Sequence, residues 1–204
     1  VAIAAYITGW MGGAHLNPAV TIGLAASGLF EWSKVPMYII AQMLGAMVGM
    51  IVVYANYKLH YDATEVGEDV RGTFCTGPAI KDTLYNFIGE FTGTFILLIG
   101  IRGITYSEVF KVTLEGAGGS VVGTVGIMGS FLVGILVWGI GLSLGGTTGY
   151  AINPARDLGP RLVHAFLPMK NKIDSDWGYA WIPVVGPILG GVCGSLLFDF
   201  ILKL

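Results

Sequence analysis

The stretch GAHLNPAVTIG at Gly13–Gly23 returns as GYAINPARDLG at Gly149–Gly159, 136 residues further on. Asn, Pro, Ala and both flanking glycines coincide. Asn is a favoured N-cap, and Pro suits the first helical position, where its missing N–H would have had no partner anyway. Asn17-Pro18 and Asn153-Pro154 are each predicted to open a short helix. A single Asn-Pro-Ala is a common cap. Two copies, each in a stretch free of Asp, Glu, Lys and Arg, indicate one structural device used twice. The helix from Pro18 to about Ala26 would run about 15 Å, half the thickness of a bilayer core.

Composition identifies the solvent. Hydrophobic residues make up 54% of the chain and charged residues 12%, with a mean hydropathy of +0.72. Soluble domains carry about a quarter charged residues, so this chain is expected in a lipid bilayer. A net charge of −2 gives no reason to expect nucleic acid as a partner. The 32 glycines follow no collagen-like period and fit close helix approach in a membrane. Cys75 sits in a polar stretch and Cys193 in an apolar one, so no disulfide and no metal site is expected. No cofactor is expected either. No nucleophile–base pair is visible, which argues against an enzyme.

The apolar runs Val35–Tyr57, Leu84–Ile101 and Ala180–Phe198 are predicted to span, the second carrying only Glu90. Val1–Phe30 and Gly116–Ala155 are too long for one span and are broken by glycines before Asn-Pro. Each is predicted as a spanning helix, an irregular return and a short second helix. Polar connections fall at about Lys58–Asp82, Arg102–Glu115 and Pro168–Gly178. AQMLGAMVG at Ala41–Gly49 also returns, as GPILGGVCG at Gly186–Gly194. Repeated span, broken segment and span is the organisation of an inverted-repeat transport protein. By that symmetry about 50 residues, one span and the start of the next, would precede the first residue of this chain.

Two half-helices entering from opposite faces would meet at the midplane, each with about half a positive charge at its N-terminus. Irregular backbone at that depth must line a cavity or be buried in protein. Met11–Leu16 and Leu144–Ile152 are thus expected to present carbonyls to a water-filled path, with the Asn17 and Asn153 amides as donors. Arg156 adds a full charge. Cations, hydronium included, would be repelled, while neutral molecules exchange hydrogen bonds along the carbonyls.

The motifs GGAHLNPAVTIG and GYAINPARDLGPRL resemble the aquaporin superfamily, the major intrinsic proteins, and within it the aquaglyceroporin or bacterial glycerol-facilitator branch. The resemblance covers essentially the whole chain. It implies an all-α membrane protein, an aquaporin-like inverted repeat of spanning helices plus two re-entrant half-helices, with the N-terminal span absent from this chain. Residues 1–204 would form one transmembrane channel domain, with 1–57 a partial first repeat and 83–204 the second. It further implies a pore in each protomer, a homotetramer, and a multi-pass protein of the plasma membrane.

By the same resemblance, Asn17 and Asn153 stand at the pore centre, and Gly141, Tyr150 and Arg156 match the selectivity filter. Gly13, Ala14, His15, Gly149 and Ala151 would line the pore through carbonyls or side chains. Pro18, Pro154, Glu90 and Asp157 would give structural support, Glu90 by accepting backbone N–H bonds from the re-entrant loop. Glycine at 141, where water-specific members generally carry histidine, and Asp157 followed by Arg161 follow the glycerol-type pattern. Tyr150 departs from it, since glycerol facilitators typically have phenylalanine there. The implied function is passive diffusion of glycerol, other small neutral solutes and water, with protons and ions excluded. Lactic acid, urea, hydrogen peroxide or water as the preferred solute are alternatives of the same fold. An ion-coupled secondary transporter and a non-conducting structural membrane protein are alternatives of other classes.

Overall fold

Each long charge-free run becomes helix, because in lipid every backbone polar group must find its partner within the chain. A computed structural model describes the backbone of residues 1–106, 111–116, 119–124 and 127–204, with side chains over 1–106 and 128–204. In chain order the elements are α1 (Ala2–Gly12), α2 (Pro18–Ala26), a 3-10 turn (Trp32–Lys34), α3 (Val35–Asn56), α4 (Lys58–Ala63), α5 (Gly67–Phe74) and α6 (Thr83–Tyr106). A two-stranded antiparallel ribbon follows, β1 (Lys111–Gly116) and β2 (Gly119–Thr124), and then α7 (Ile127–Thr148), α8 (Pro154–Phe166) and α9 (Ile182–Ile201). Among the described residues, four helices are long and apolar enough to cross a bilayer: α3 extended back to Trp32, α6, α7 from Met128, and α9. The all-α membrane fold read from the sequence is the fold found.

Three expectations change in detail. The charge-free run Gly116–Ala155 does not begin as helix, because its first part pairs as β2 against β1. Four glycines and the β-branched Val121, Val122 and Thr124 lie between 116 and 124, a composition that favours strand over helix. The irregular returns are also shorter than predicted. Helix α1 runs to Gly12 and α7 to Thr148, leaving Gly13–Asn17 and Gly149–Asn153 non-helical. Both helices stop the same way. Gly13 (φ 71°) and Gly149 (φ 75°) adopt the left-handed conformation and donate back to Gly9 and Gly145, each at 2.9 Å. Finally, the polar connection Lys58–Asp82 holds α4 and α5. Within the connection Arg102–Glu115, residues 107–110 lie outside the described residues.

Small residues set the distances between helices. A Cβ on Gly190 would run into the Phe91 carbonyl oxygen, and one on Gly194 would stand 2.5 Å from that of Phe95, so α9 lies directly on α6. The half-helices are held the same way, and crosswise. A Cβ on Gly23 of α2 would meet the Gly191 oxygen of α9 at 2.9 Å, and one on Gly159 of α8 would meet Ala46 Cβ of α3 at 2.9 Å. Gly23 matches Gly159 in the first repeat alignment, and Ala46 matches Gly191 in the second. Each half-helix therefore packs on the spanning helix of the other repeat, through equivalent small residues.

At the far end of α2, Ser27 Oγ lies 2.6 Å from Ser195 Oγ, which also accepts from Arg102 Nη1 at 3.0 Å. Arg102 pairs with Asp199 and lies 5.0 Å over the Phe198 ring. Asp199 thus ties α9 to α6.

Gly190→Val should lower the thermal midpoint in detergent by about 5–10 °C, the consequence of about 2–3 kcal/mol of overpacking. Gly72→Ala, whose Cβ meets nothing within 4 Å in α5, should leave the midpoint unchanged or raise it. An unchanged midpoint for Gly190→Val would contradict the close-approach account.

Candidate functional site

The two Asn-Pro turns face each other across the junction of the half-helices. Asn17 caps α2, its Oδ1 accepting from Ala19 N at 2.8 Å. Asn153 caps α8, its Oδ1 accepting from Ala155 N at 3.0 Å and Arg156 N at 3.3 Å. Their amide nitrogens then cross over. Asn17 Nδ2 donates to the Ile152 carbonyl at 2.7 Å, and Asn153 Nδ2 donates to the Leu16 carbonyl at 2.9 Å. A primary amide has two N–H donors, so each asparagine keeps one beyond this bond. Pro18 and Pro154 occupy the first helical position of each half-helix.

The approach to each cap carries the same backbone. Gly13, Ala14 and Leu16 have φ of 71°, 50° and 52°, and their repeat mates Gly149, Tyr150 and Ile152 have 75°, 39° and 42°. Non-glycine residues in this region cost on the order of 1–3 kcal/mol each and persist only where the surroundings hold them. Glu90, fully buried in α6, supplies that hold for the second segment. Its carboxylate accepts from Ala151 N at 2.9 Å, Ile152 N at 2.7 Å and Thr148 Oγ1 at 2.7 Å. Charge-assisted bonds of this kind are about twice as strong as neutral ones.

A cavity of about 910 Å³ opens along this junction. Asn17, Asn153, Gly13, Ala14, His15, Tyr150, Ala151 and Arg156 lie on its wall. The α-carbon of Gly149 backs onto Thr76, whose Cβ would stand 3.4 Å from an added Cβ. Gly141 lies behind the wall. The Tyr150 ring covers it, and added Cβ atoms on Gly141 and Gly145 would each lie 2.9 Å from that ring. The two glycines of α7 form a shelf for the tyrosine.

The rest of the wall was not legible in the sequence. Leu97, Ile101 and Thr105 of α6, Val133 and Val137 of α7, and Val20 and Leu24 of α2 line it at intervals of four. Those intervals follow the helical repeat, yet helices apolar on every side give no contrast by which to find the lumen-facing stripe.

His15 Nδ1 lies 3.1 Å from Thr21 Oγ1, which accepts from Gln42 Nε2 at 2.9 Å. The Thr21 hydroxyl also lies in donating geometry to the Asn17 carbonyl at 3.1 Å. Phe30 and Tyr38 pack on the His15 ring with centroids at 4.7 and 5.2 Å. Asp157, fully buried, accepts from Arg161 Nε at 2.8 Å and from Thr76 N and Oγ1 at 2.8 and 2.6 Å.

Two half-helix N-termini capped by crossed asparagines thus stand at the two copies of the motif, which share five of eleven residues. Residues 1–198 match the profile described as Major intrinsic protein. The chain belongs to the major intrinsic protein family. Among major intrinsic proteins it is 51% identical over 199 residues to a glycerol uptake facilitator protein of Streptococcus pneumoniae, covering 98% of this chain and 79% of the relative. It is 49% identical over 203 residues to a glycerol uptake facilitator protein of Bacillus subtilis, covering 100% of this chain and 69% of the relative. The aquaglyceroporin from Plasmodium falciparum superposes with a TM-score of 0.82 at 31% identity, over 99% of this chain and 78% of that one. As a major intrinsic protein, the chain is a membrane channel.

Glu90→Gln puts an amide N–H₂ where two backbone N–H groups and a hydroxyl now find acceptors. It should destabilise the protein by about 2–4 kcal/mol, read as a fall in the detergent unfolding midpoint with faster amide exchange at Ala151 and Ile152. Wild-type protection at those two amides would remove Glu90 as the anchor of the turn.

Proposed function

We propose that this channel conducts glycerol and other small neutral solutes passively, passes water as well, and excludes protons and ions. The observation that carries the reading is the crossed pair of asparagine caps at the meeting point of two half-helix N-termini, on the wall of an apolar-sided cavity. Each asparagine offers its remaining N–H as a donor to a passing oxygen. The carbonyls of Gly13, Ala14 and His15 on one approach, and of Tyr150 and Ala151 on the other, offer acceptors. A polyol presents both kinds of group along one edge and carbon along the other, and this wall has a polar edge and apolar stripes.

Charge supports the same solute class. Both helix N-termini place positive potential at the junction, and Arg156 adds to it from the first turn of α8. A hydronium ion or metal cation meets repulsion there, and a permanent anion meets a largely apolar wall on which, among the described lining residues, Arg156 is the one Lys or Arg. Neutral dipoles meet neither barrier.

Tyr150 and Arg156 form the selectivity filter in this reading, with Gly141 acting from beneath. Glycine at 141 lets the Tyr150 ring lie flat, which keeps the lumen wide enough for a carbon chain. The Tyr150 hydroxyl makes this wall more polar than a phenylalanine would, and it favours a second reading of the same fold. In that reading lactic acid in its neutral form, urea, hydrogen peroxide or water is preferred over glycerol. An ion-coupled transporter would need a free carboxylate on the path. Among the described residues, Glu90 is turned to the 148–152 turn and Asp157 to Thr76 and Arg161. We assign the chain to the plasma membrane as one channel domain, 1–57 being a partial first repeat and 83–204 the second, working as a homotetramer. The glycerol uptake facilitators of S. pneumoniae and B. subtilis, at about half identity, support glycerol as the solute.

Proteoliposomes under an osmotic step of glycerol should re-swell at least about tenfold faster than empty vesicles when followed by stopped-flow light scattering. Re-swelling at the empty-vesicle rate would refute the reading. Gly141→His must displace the Tyr150 ring into the lumen. It should cut glycerol flux about tenfold and water flux much less; an equal loss of both would remove Gly141 and Tyr150 from the filter.

A further inference from the structure

Thr76, in the segment between α5 and α6, directs all three of its polar groups at one buried ion pair. Its N–H and hydroxyl donate to Asp157 Oδ2 at 2.8 and 2.6 Å, and its carbonyl accepts from Arg161 Nη2 at 2.8 Å. Asp157 and Arg161 are both fully buried, and Thr76 is nearly so. The pair does not need Thr76 to exist. Arg161 reaches Asp157 through Nε at 2.8 Å and Nη2 at 3.0 Å, one helical turn along α8. Arg161 Nη1 is also held by the Ser175 and Asp176 carbonyls.

The other side of Thr76 faces the second wall of the filter. A Cβ on Gly149 would stand 3.4 Å from Thr76 Cβ and 3.5 Å from Thr76 Cγ2. Three residues on, Ala79 N donates to the Thr147 carbonyl at 3.0 Å, so residues 76–79 are fastened to the end of α7. Asp157 adjoins Arg156 in the chain, and Gly149 adjoins Tyr150. Thr76 touches both neighbours, from behind the lumen.

We propose that Thr76 is a positioning residue for solute selection, which fixes the separation of the Arg156 wall from the Tyr150 wall through its bonds to Asp157 and its contact with Gly149. The inference rests on the filter reading given above. Its physical core is a length. A hydroxyl donating to a carboxylate holds the two oxygens about 2.6–2.8 Å apart, whereas a methyl group in the same place needs well over 3 Å. Thr76→Val keeps the β-branched shape, the N–H and the carbonyl, and changes that one distance. The α8 side of the filter then moves away from the α7 side, and the gap widens. Thr76→Ser keeps the hydroxyl and should keep the gap.

Wild type, Thr76→Val, Thr76→Ala and Thr76→Ser are reconstituted at matched protein density, and flux is measured for glycerol and for a linear five-carbon polyol. Thr76→Val should lower the glycerol-to-pentitol flux ratio by about threefold or more, while Thr76→Ser stays close to wild type. An unchanged ratio in Thr76→Val, or an equal shift in Thr76→Ser, overturns the proposal. If Thr76→Val and Thr76→Ala both fail to give protein that can be purified, Thr76 serves folding alone and the proposal is equally overturned. Amide exchange over residues 149–153 of the detergent-purified proteins is the second readout, expected to quicken in Thr76→Val and not in Thr76→Ser. Should the wild type pass neither polyol, the channel reading for these solutes fails, and the exchange pattern alone decides whether Thr76 positions the segment.

Discussion

The structure depends on one constraint: two helices end inside the membrane, where their free N–H groups have no water to bond. The crossed asparagines answer it. Each Oδ1 satisfies the first donors of its own half-helix, and each Nδ2 satisfies a carbonyl of the opposite return. Each repeat caps its own half-helix, and the amide of that cap bonds across to the other repeat. The same reciprocity recurs one layer out, where α2 lies on α9 and α8 on α3 through matched small residues. The inverted repeat is thus a packing requirement as well as a sequence pattern.

Meeting that constraint has consequences for chemistry. Left-handed residues precede each cap beside the cavity, and such residues need external anchors. In the second repeat the anchor is a buried carboxylate, Glu90, held away from the lumen. The charges nearest the path divide accordingly. Arg156 stays on the wall, while Asp157 and Arg161 neutralise each other behind it. In the proposed reading, what faces the solute is positive potential, amide donors, carbonyl acceptors and hydrocarbon.

Much of this was legible in the chain itself. Asn17-Pro18 and Asn153-Pro154 announce capped helices by local chemistry alone, and α2 ends at Ala26, where the half-membrane argument placed it. The spanning segments were legible because charge-free runs contrast with polar connections. Helix ends were read less well. Met11, Gly12 and Leu144–Thr148 remain helical, since glycine terminated each helix only where the chain turned left-handed. The ribbon at Lys111–Thr124 was hidden because it lacks charge in its second strand, and lack of charge was read as lipid contact. The packing of Gly149 on Thr76 was not legible, because position in the motif says nothing of a neighbour 73 residues away. The Thr76, Asp157 and Arg161 cluster was invisible for the same reason. It joins residues 81 apart in sequence, and nothing in FCTGP marks Thr76 as the partner of a buried carboxylate.

The central claim is that paired helix N-termini admit a neutral polyol and refuse a proton at the same point. It is tested most directly by loading proteoliposomes with a pH-sensitive dye, imposing a glycerol gradient together with a proton gradient, and following both fluxes at once. The account predicts rapid glycerol entry with proton entry no faster than in empty vesicles, and a glycerol rate independent of the imposed pH difference. Protons entering with glycerol, or a glycerol rate that rises with the proton gradient, would contradict it.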